Sequence, residues 1–198
     1  MNHPLRCDCG QVEGYVTRPG PATRAVCYCR DCQAFARFLG RTDSILDAQG
    51  GSAIVATQPR LVVFARGAEK IACMSLSERG MLRWYASCCN TPIGNTPRDQ
   101  KMSYVGLIDT CLAHEAPSLQ ESFGPVHLVL NTRSAIGDPK PAQRRGLLSM
   151  MAIMKAVVGA RFSGAYRRNP FFLSDGGRPV AAPRVLTEAE RARFSVAA

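Results

Sequence analysis

The sequence predicts a mainly β fold, built from small antiparallel sheets and followed by a helical C-terminal extension. Two observations lead to this prediction. Residues 11–131 contain many short runs of β-type residues separated by turns, and after Pro139 the pattern changes to that of a helix. A third observation is the presence of nine cysteines among 198 residues, most of them in tight clusters.

The predicted strands are short and closely spaced, and turn pairs such as Gln58-Pro59 and Arg66-Gly67 separate them. They cover residues 11–17, 25–28, 53–57, 61–64, 71–76, 81–86, 102–108 and 126–131. A turn over residues 18–21 joins the first two. One short helix is predicted over residues 31–39, with Asp31 as its cap and Gly40 at its end. The order of these elements is typical of a mostly antiparallel β domain.

Residues 138–141, Asp-Pro-Lys-Pro, predict a boundary between a β domain over 1–139 and an extension over 140–198. Within the extension, residues 147–160 predict a helix with a bulky stripe on one face. We expect this stripe to pack on the β domain or on a second copy of the chain, and a helix lying on a membrane surface is the alternative. Thr187 and Glu190 have the spacing of a capping box for a last helix.

The composition is that of an ordinary globular protein, with 46% hydrophobic and 20% charged residues. The longest nearly continuous apolar run covers residues 147–160, and a spanning helix needs about 20 residues. No apolar segment follows the first basic residue, as a secretory signal would require. The sequence therefore predicts no membrane span and a cytoplasmic location.

Most of the formal net charge of +10 lies in the extension. Residues 1–139 contribute 14 basic and 12 acidic side chains (+2), and residues 140–198 contribute 11 and 3 (+8). A basic segment of this kind favours nucleic acid, an anionic membrane surface or an acidic protein as partner. A solvated basic face is the other interpretation, because no aromatic-interleaved recognition motif accompanies the charge.

The cysteines form three clusters, and their odd number without a signal peptide disfavours a disulfide framework. Zinc binds thiolates in tetrahedral geometry, and closely spaced cysteines on sharply turning segments supply such ligands. Iron is the alternative metal for all-thiolate sites. The clusters are Cys7-x-Cys9-Gly10, Cys27-x-Cys29-x-x-Cys32 and Cys88-Cys89-Asn90-Thr91-Pro92.

The order and spacing of these clusters resemble the glutathione-dependent formaldehyde-activating enzyme (GFA) family, which includes the centromere protein V group. The resemblance covers residues 7–133. It rests on the Cys-x-Cys-Gly start at Cys7, the Cys-x-Cys-x-x-Cys cluster at Cys27, and an element similar to Cys-Gly-Thr-Pro at Cys89. It implies a β-rich zinc scaffold of stacked sheets with two zinc sites and glutathione as co-substrate.

In that family the structural site takes the cysteines that correspond to Cys7, Cys9 and Cys89. The second site takes those that correspond to Cys27, Cys29 and Cys32, and the resemblance implies that this site is catalytic. Three thiolates leave one position of a zinc ion for water or an incoming thiol, whereas four thiolates close it. With both sites loaded, the formal charge would fall from +10 to about +7.

The chain departs from the family pattern at Ala86, where the family has a further cysteine. Cys88 is the candidate replacement, although adjacent cysteines reach one metal only from a kinked backbone. The closed site is thus Cys7, Cys9, Cys88 and Cys89, or three cysteines completed by Cys111, by water or by nothing.

Two hypotheses of function follow. The first is a zinc-dependent carbon–sulfur lyase that joins or releases a thiol, such as glutathione, and a small aldehyde. The second is a non-catalytic, zinc-stabilised binding module whose basic extension contacts nucleic acid or protein. An enzyme needs the open zinc position, and a module predicts salt-sensitive binding that depends on residues 140–198.

A few further residues are candidates for a site. Cys73 is expected in the core, and Cys111 either fills the core or approaches a metal. His114 and His127 are each isolated, and either a structural role or a role as fourth ligand or base fits them. Core packing is expected for Trp84 and Tyr85, with the wall of a substrate pocket as the alternative.

Overall fold

The computed structural model describes residues 2–17, 22–112, 117–139, 146–174 and 176–195. Eleven strands lie in these ranges: β1 (His3–Arg6), β2 (Glu13–Val16), β3 (Thr23–Cys27), β4 (Ser52–Thr57), β5 (Val62–Arg66), β6 (Ile71–Ser75), β7 (Leu82–Ala86), β8 (Thr91–Thr96), β9 (Val105–Ile108), β10 (Val126–Leu130) and β11 (Arg184–Val185). The α-helices are α1 (Arg30–Phe38), α2 (Thr42–Ile45), α3 (Leu119–Phe123), α4 (Gly146–Phe162) and α5 (Glu188–Ser195). The predicted fold class, mainly β with C-terminal helices, is confirmed.

Two sheets make up the β part. The smaller one has the order β1-β2-β5 and is antiparallel. The larger one has the order β10-β3-β4-β9-β8-β7-β6-β11, with parallel pairs only at its two ends, β10 with β3 and β11 with β6. The sheet is therefore mixed, because the chain returns to both edges from distant segments.

The sheets and helices form three layers around two apolar cores. The first core lies between the small sheet and one face of the large sheet, and Trp84 and Leu5 are fully buried in it. The second core lies on the opposite face of the large sheet, where Phe35 of α1 packs with Ile54 of β4. Cys27 and Ala25 are two residues apart on β3, so both side chains point to this second, helix-covered face.

The C-terminal segment packs against the β part. Phe171 is fully buried, and its ring centroid lies 5.2 Å from that of Trp84. On the other face α5 packs on α1, and the ring centroids of Phe38 and Phe194 lie 5.7 Å apart. The division at residue 139 stays a prediction, and in the structure the two parts share both cores.

Most of the predicted strands and helices are present within one to three residues of their expected ends. The strands β1, β8 and β11 were not predicted. β8 contains Pro92, Gly94 and Asn95, which have low β propensity, and its residues are all buried between neighbouring strands. The prediction that Asp31 caps α1 is wrong: the cap is Cys29, whose Sγ accepts a hydrogen bond from the backbone N–H of Cys32 at 3.3 Å.

The helix predicted over residues 147–160 is present as α4, and small residues of α4 approach the β part closely. Ala160 is 4% exposed, and the side-chain amide of Gln58 donates to the carbonyl oxygen of Ala156 at 2.6 Å. The bulky stripe is buried only in part, because Met151 and Val158 are 59% and 48% exposed. Among the described residues, no helix has the length and apolar character needed to cross a membrane.

The predicted capping box of α5 is present, with Thr187 and Glu190 hydrogen-bonded to each other's backbone N–H.

Three features from the sequence analysis fall outside the described ranges. These are the turn over residues 18–21, the stretch 140–141 of the predicted boundary, and His114.

Candidate metal centres

Four cysteine sulfurs converge at one end of the sheets. Cys7 and Cys9 lie in the turn that follows β1, and Cys88 and Cys89 lie in the turn between β7 and β8. All four Sγ atoms lie within 4.8 Å of one another. The structure therefore brings together the predicted set Cys7, Cys9, Cys88 and Cys89, and we call it the four-cysteine cluster.

The spacing of these sulfurs fits a tetrahedral metal ion. With metal–sulfur bonds of 2.3 Å, tetrahedral geometry places sulfurs about 3.8 Å apart. The observed distances are 3.5 Å for Cys7–Cys9, 3.8 Å for Cys7–Cys88, 3.3 Å for Cys9–Cys88 and 3.9 Å for Cys88–Cys89. The residues present thus suit a four-thiolate zinc site without further ligands.

The turn between β7 and β8 explains how two adjacent cysteines reach one point. Asn90 has φ +56, in the left-handed region, which asparagine tolerates better than most residues with a side chain. The backbone N–H groups of Cys89 and Asn90 both donate to the carbonyl oxygen of Ala86, at 3.3 Å and 2.8 Å. This tight turn supplies the kink that lets the adjacent Cys88 and Cys89 approach the same point.

Hydrogen bonds tie the two turns of the four-cysteine cluster together. The backbone N–H of Asp8 donates to Thr91 Oγ1 at 3.0 Å, and Thr91 Oγ1 lies 3.1 Å from the Sγ of Cys89. Arg41 pairs with the Asp8 carboxylate and donates to the carbonyl oxygen of Cys89 at 3.1 Å. The Arg41 cation also offsets part of the negative charge that four thiolates would carry.

Three more sulfurs converge where β3 ends and α1 begins. Cys27 is the last residue of β3, Cys29 is the N-cap of α1, and Cys32 lies in the first turn of α1. Their Sγ atoms lie within 4.8 Å of one another, and we call them the three-cysteine cluster. Cys27 and Cys32 are buried, while Cys29 is partly exposed, so solvent reaches the cluster beside Cys29.

Two polar side chains support the three-cysteine cluster. Asn131, which follows β10, donates through Nδ2 to the Sγ of Cys27 at 3.2 Å. Arg83 is only 4% exposed, and its guanidinium donates to Asn95 Oδ1 at 3.1 Å and lies 3.6 Å from the Asp31 carboxylate. The neighbouring thiols and burial raise the pKa of Cys32, and the Arg83 charge opposes this rise, so Arg83 acts on this cluster. A buried cation next to thiols suits a group that becomes anionic on binding metal.

The thiols of the three-cysteine cluster differ in how readily they lose their protons. Hydrogen bonds from Cys29 and Cys32 lower the pKa of Cys27. Hydrogen bonding with Cys27 and Cys29, together with burial, raises the pKa of Cys32 well above its ordinary value. Cys27 therefore loses its proton readily, whereas Cys29 and Cys32 keep theirs. Metal binding to all three sulfurs is thus expected to release protons.

A similar difference holds in the four-cysteine cluster. Burial and the neighbouring thiols raise the pKa of Cys88 to about 12. Burial also acts to raise the pKa of Cys89, but hydrogen bonds from Thr91 and from the backbone of Cys9 outweigh it and bring the value to about 6. Cys89 is thus the thiol of this cluster that an arriving cation meets as a thiolate.

Two hydroxyl groups lie on the same face of the large sheet as Cys27. Ser52 is the register partner of Cys27, so the two side chains share a face; its Oγ is buried and has no hydrogen-bond partner among the described residues. Burial, together with the nearby thiolates of Cys32 and Cys27, raises the pKa of Tyr104 to about 12, which keeps this phenol protonated at neutral pH. Both hydroxyls are available as donors beside the cluster.

The remaining candidates belong to neither cluster. Cys73 and Cys111 are buried in the first core, and the thiol of Cys111 donates to the carbonyl oxygen of Ile108 at 3.1 Å, so Cys111 does not complete the four-cysteine cluster. His127 belongs to neither group of candidate ligands. Trp84 is fully buried, as expected, and its Nε1 donates to Thr96 Oγ1 at 2.9 Å.

Four residues near the three-cysteine cluster were missed by the sequence analysis: Ser52, Arg83, Tyr104 and Asn131. One of them carries a signal in the sequence. Arg83 stands in the apolar run Leu82-Arg83-Trp84-Tyr85. A cation inside such a run indicates a buried partner that is an anion or that becomes one.

The fold and the clusters define a class: a mainly β protein with two groups of cysteines that can hold metal ions. The chain belongs to a family of unknown function, DUF6151, whose model matches residues 1–183. None of the curated proteins compared with it matches.

One solved structure with similarity to this chain is the crystal structure of a Rhodobacter sphaeroides protein that was a Northeast Structural Genomics target. It is 20% identical to this chain, with a TM-score of 0.40, and the match covers 65% of this chain and 99% of that protein.

Proposed function

We propose that this chain is a zinc-dependent carbon–sulfur lyase of the GFA type, which joins or releases a thiol, such as glutathione, and an aldehyde. The observation that carries the proposal is the difference in ligand number between the two clusters. Four sulfurs saturate a tetrahedral ion, whereas three leave one position for an exogenous ligand. In this proposal the four-cysteine cluster is structural and the three-cysteine cluster is catalytic.

The donor set of the three-cysteine cluster supports zinc as its metal, since zinc favours thiolate ligands. Cys27, Cys29 and Cys32 would hold the ion, and when bound it would supply a Lewis acid that lowers the pKa of an incoming thiol. Asn131 orients the Cys27 sulfur through its hydrogen bond, and the buried Arg83 offsets the charge of the thiolates.

The reaction itself needs little from the protein beyond placement and a proton. The thiol sulfur attacks the carbonyl carbon, a carbon–sulfur bond forms, and the carbonyl π pair moves to oxygen, which takes up one proton. The proton that the thiol loses and the one that the oxygen gains balance, so thiol and aldehyde yield a hemithioacetal. Tyr104 and Ser52 are hydroxyl donors on the face where that oxygen would form.

The test begins with the metal content of the full-length protein, purified without chelator. The proposal expects two zinc ions per chain, glutathione binding, and catalysed exchange between glutathione and ¹³C-formaldehyde, followed by NMR. Cys29→Ser should remove one ion and the exchange activity while the other ion and the fold remain. Cys73→Ala, at a buried cysteine outside both clusters, is the matched control and should keep both ions.

Two results would overturn the proposal. One is a single zinc ion per chain that Cys29→Ser does not remove. The other is a protein with two ions whose exchange rate equals that of the uncatalysed reaction. Salt-sensitive nucleic-acid binding in the second case would favour the binding-module hypothesis instead.

A further inference from the structure

An apolar cavity of about 470 Å³ lies between α4 and the helix-covered face of the large sheet. Ala25, Ile54 and Leu130 form its floor, and Met150 and Ile153 of α4 form its roof. Tyr104 carries the one side-chain hydroxyl among the residues that line it. Its volume lies within the roughly 300–1,000 Å³ that small-molecule sites occupy.

Two residues of the cavity floor neighbour Cys27, although the cysteines themselves do not line the cavity. Leu130 on its floor is the register partner of Cys27 in the pairing of β10 with β3. Ala25, also on the floor, is two residues before Cys27 on the same face of β3, a distance of about 7 Å along the strand. A molecule seated in the cavity therefore has one end within reach of the cysteines.

Tyr104 lies at the junction between cavity and cluster. Its hydroxyl passes 2.9 Å from the position that a Cβ on Gly106 would occupy, so the ring folds across β9 only because residue 106 has no side chain. The Cδ1 atom of Ile54 lies 3.7 Å from the same position, so the Tyr104 hydroxyl is near Ile54, which stands two residues after Ser52 on β4. The one hydroxyl in the cavity wall is thus at the end where the cysteines lie.

Ser52, the register partner of Cys27, is a second hydroxyl near the cluster, and it lies outside the residues that line the cavity. Ser52 is 1% exposed, and its side chain lies on the same face as that of Cys27. Its Oγ has no hydrogen-bond partner among the described residues. Leaving a buried hydroxyl without a hydrogen-bond partner costs free energy, and a ligand that accepts this hydrogen bond would recover that cost. Together the cavity and the two hydroxyls describe a site that is apolar along its length and polar at the cysteine end.

We propose that the aldehyde used at the three-cysteine cluster carries an apolar chain, which occupies this cavity with the carbonyl group at the cysteine end. This inference rests on the proposed carbon–sulfur activity and names its substrate class. A polar tripeptide such as glutathione would lose its hydration in the cavity, and formaldehyde would leave the cavity empty. The carbonyl oxygen is the group that the Tyr104 and Ser52 hydroxyls suit.

The reaction is again the addition of a thiol to an aldehyde to give a hemithioacetal, here with a longer aldehyde. The thiol sulfur bonds to the carbonyl carbon, the π pair moves to oxygen, and Tyr104 or Ser52 donates a proton to that oxygen and regains one from water. The thiol's own proton is released to solvent, so no oxidant or reductant is needed.

Binding and turnover test the inference separately. Unreactive n-alkanols from propanol to octanol serve as probes in calorimetric titrations of the metal-loaded protein. We expect the affinity to rise about two- to fourfold for each added methylene until the cavity is filled. With glutathione as the thiol, kcat/KM should rise in the same way from formaldehyde to octanal.

Variants on α4 locate the effect. Ile153→Asn places an amide in the cavity roof and should lower octanol affinity at least tenfold, while Met151→Asn, on the same helix but outside the cavity lining, should leave it unchanged. Circular dichroism and the melting temperature check the fold of both. If Ile153→Asn does not fold, Met154→Gln makes the same test at a lining residue that is 56% exposed.

The outcomes separate this inference from the proposed function. If formaldehyde is turned over, kcat/KM does not change with the chain length of the aldehyde, and no alkanol binds, the inference is overturned and the lyase proposal stands. Chain-length-dependent alkanol binding without any carbon–sulfur turnover supports the cavity ligand and overturns the lyase. A dependence on the chain length of alkanethiols, and not of aldehydes, overturns the assignment of the apolar chain to the aldehyde.

Discussion

The Sγ atoms of Cys9 and Cys88 lie 3.3 Å apart, although 79 residues separate them in the chain. The contact joins the turn after β1, in the small sheet, to the turn between β7 and β8 in the large sheet. A metal ion held there would therefore connect the two sheets as well as the two turns. This relationship makes the four-cysteine cluster a determinant of stability.

Loss of one ligand of this cluster should destabilise the whole protein. We expect Cys88→Ser to lose one metal ion and about 4 kcal/mol of unfolding free energy, the stabilisation provided by a ligand present at a thousand times its dissociation constant. For a chain of this length, that loss lowers Tm by roughly 8–16 °C. Ser87→Ala, on the same turn, is the control and should keep both the ion and the Tm; equal losses in the two variants would contradict the role of Cys88.

The left-handed backbone at Asn90 predicts which substitutions the turn accepts. Asn90→Gly should leave the free energy of unfolding almost unchanged, because glycine adopts φ +56 without steric cost. Asn90→Val should cost about 1–2 kcal/mol relative to Asn90→Gly. Both variants lose the hydrogen bond to the carbonyl oxygen of Leu39, so the difference between their urea denaturation midpoints isolates the backbone effect. No difference would mean that the turn can change its conformation.

Arg83 should affect the metal affinity of one cluster and not of the other. Its charge opposes the raised pKa of Cys32, and outer-shell groups of this kind are worth about 10–100-fold in metal affinity. We expect Arg83→Met to accelerate release of one of two zinc ions to a chromogenic chelator, with Arg83→Lys closer to the wild type. The ion of the four-cysteine cluster is the internal control. If both ions are released faster, Arg83 acts through general stability instead.

Burial lowers the pKa of His3, which is fully buried with its ring nitrogens 2.8 Å from the Ser122 hydroxyl and the Leu112 carbonyl oxygen. Below pH 6.5 the unfolded chain therefore binds a proton that the folded chain does not. The contribution of His3 to the free energy of unfolding is fully present above pH 6.5. It decreases as the pH falls toward the pKa of His3 in the folded protein, by up to about 1.4 kcal/mol per pH unit.

Urea denaturation of the wild type and His3→Gln at pH 7.5 and 5.5 measures this effect. The wild type should lose more unfolding free energy than the variant between the two pH values. The metal ligands are the same in both proteins, so their acid sensitivity cancels in the comparison. An equal loss in both would show that His3 is protonated in the folded state without cost.

Phe171 tests whether the C-terminal segment belongs to the core of the β part. It is 0% exposed and packs against Trp84 and Phe64, with ring centroids 5.2 Å and 5.6 Å away. Phe171→Ala should lower the free energy of unfolding by about 3–5 kcal/mol. Phe162→Ala, at a ring that is 86% exposed, should change it little. Similar values for the two would mean that residues 171–172 do not pack stably in the core.

The clusters were predictable from the sequence because their cysteines are close together along the chain. Cys27, Cys29 and Cys32 are separated by one and two residues, so a strand end followed by a helix start suffices to bring them together. The pairing of Cys7 and Cys9 with Cys88 was one of several open alternatives. It was settled by the left-handed turn at Asn90, which no spacing rule expresses.

The sequence by itself determined the fold class, most of the strands and the seven candidate ligands, because alternation, turn residues and cysteine spacing are local properties of the chain. Only the tertiary structure decided that β8 is a central strand, that Phe171 completes a core, and that Ser52, Arg83 and Tyr104 lie near Cys27 and Cys32. Ser52 and Arg83 lie on different strands of the large sheet, and Tyr104 directly precedes a third, β9. Their proximity depends on strand order and register, which are set by packing over the whole molecule.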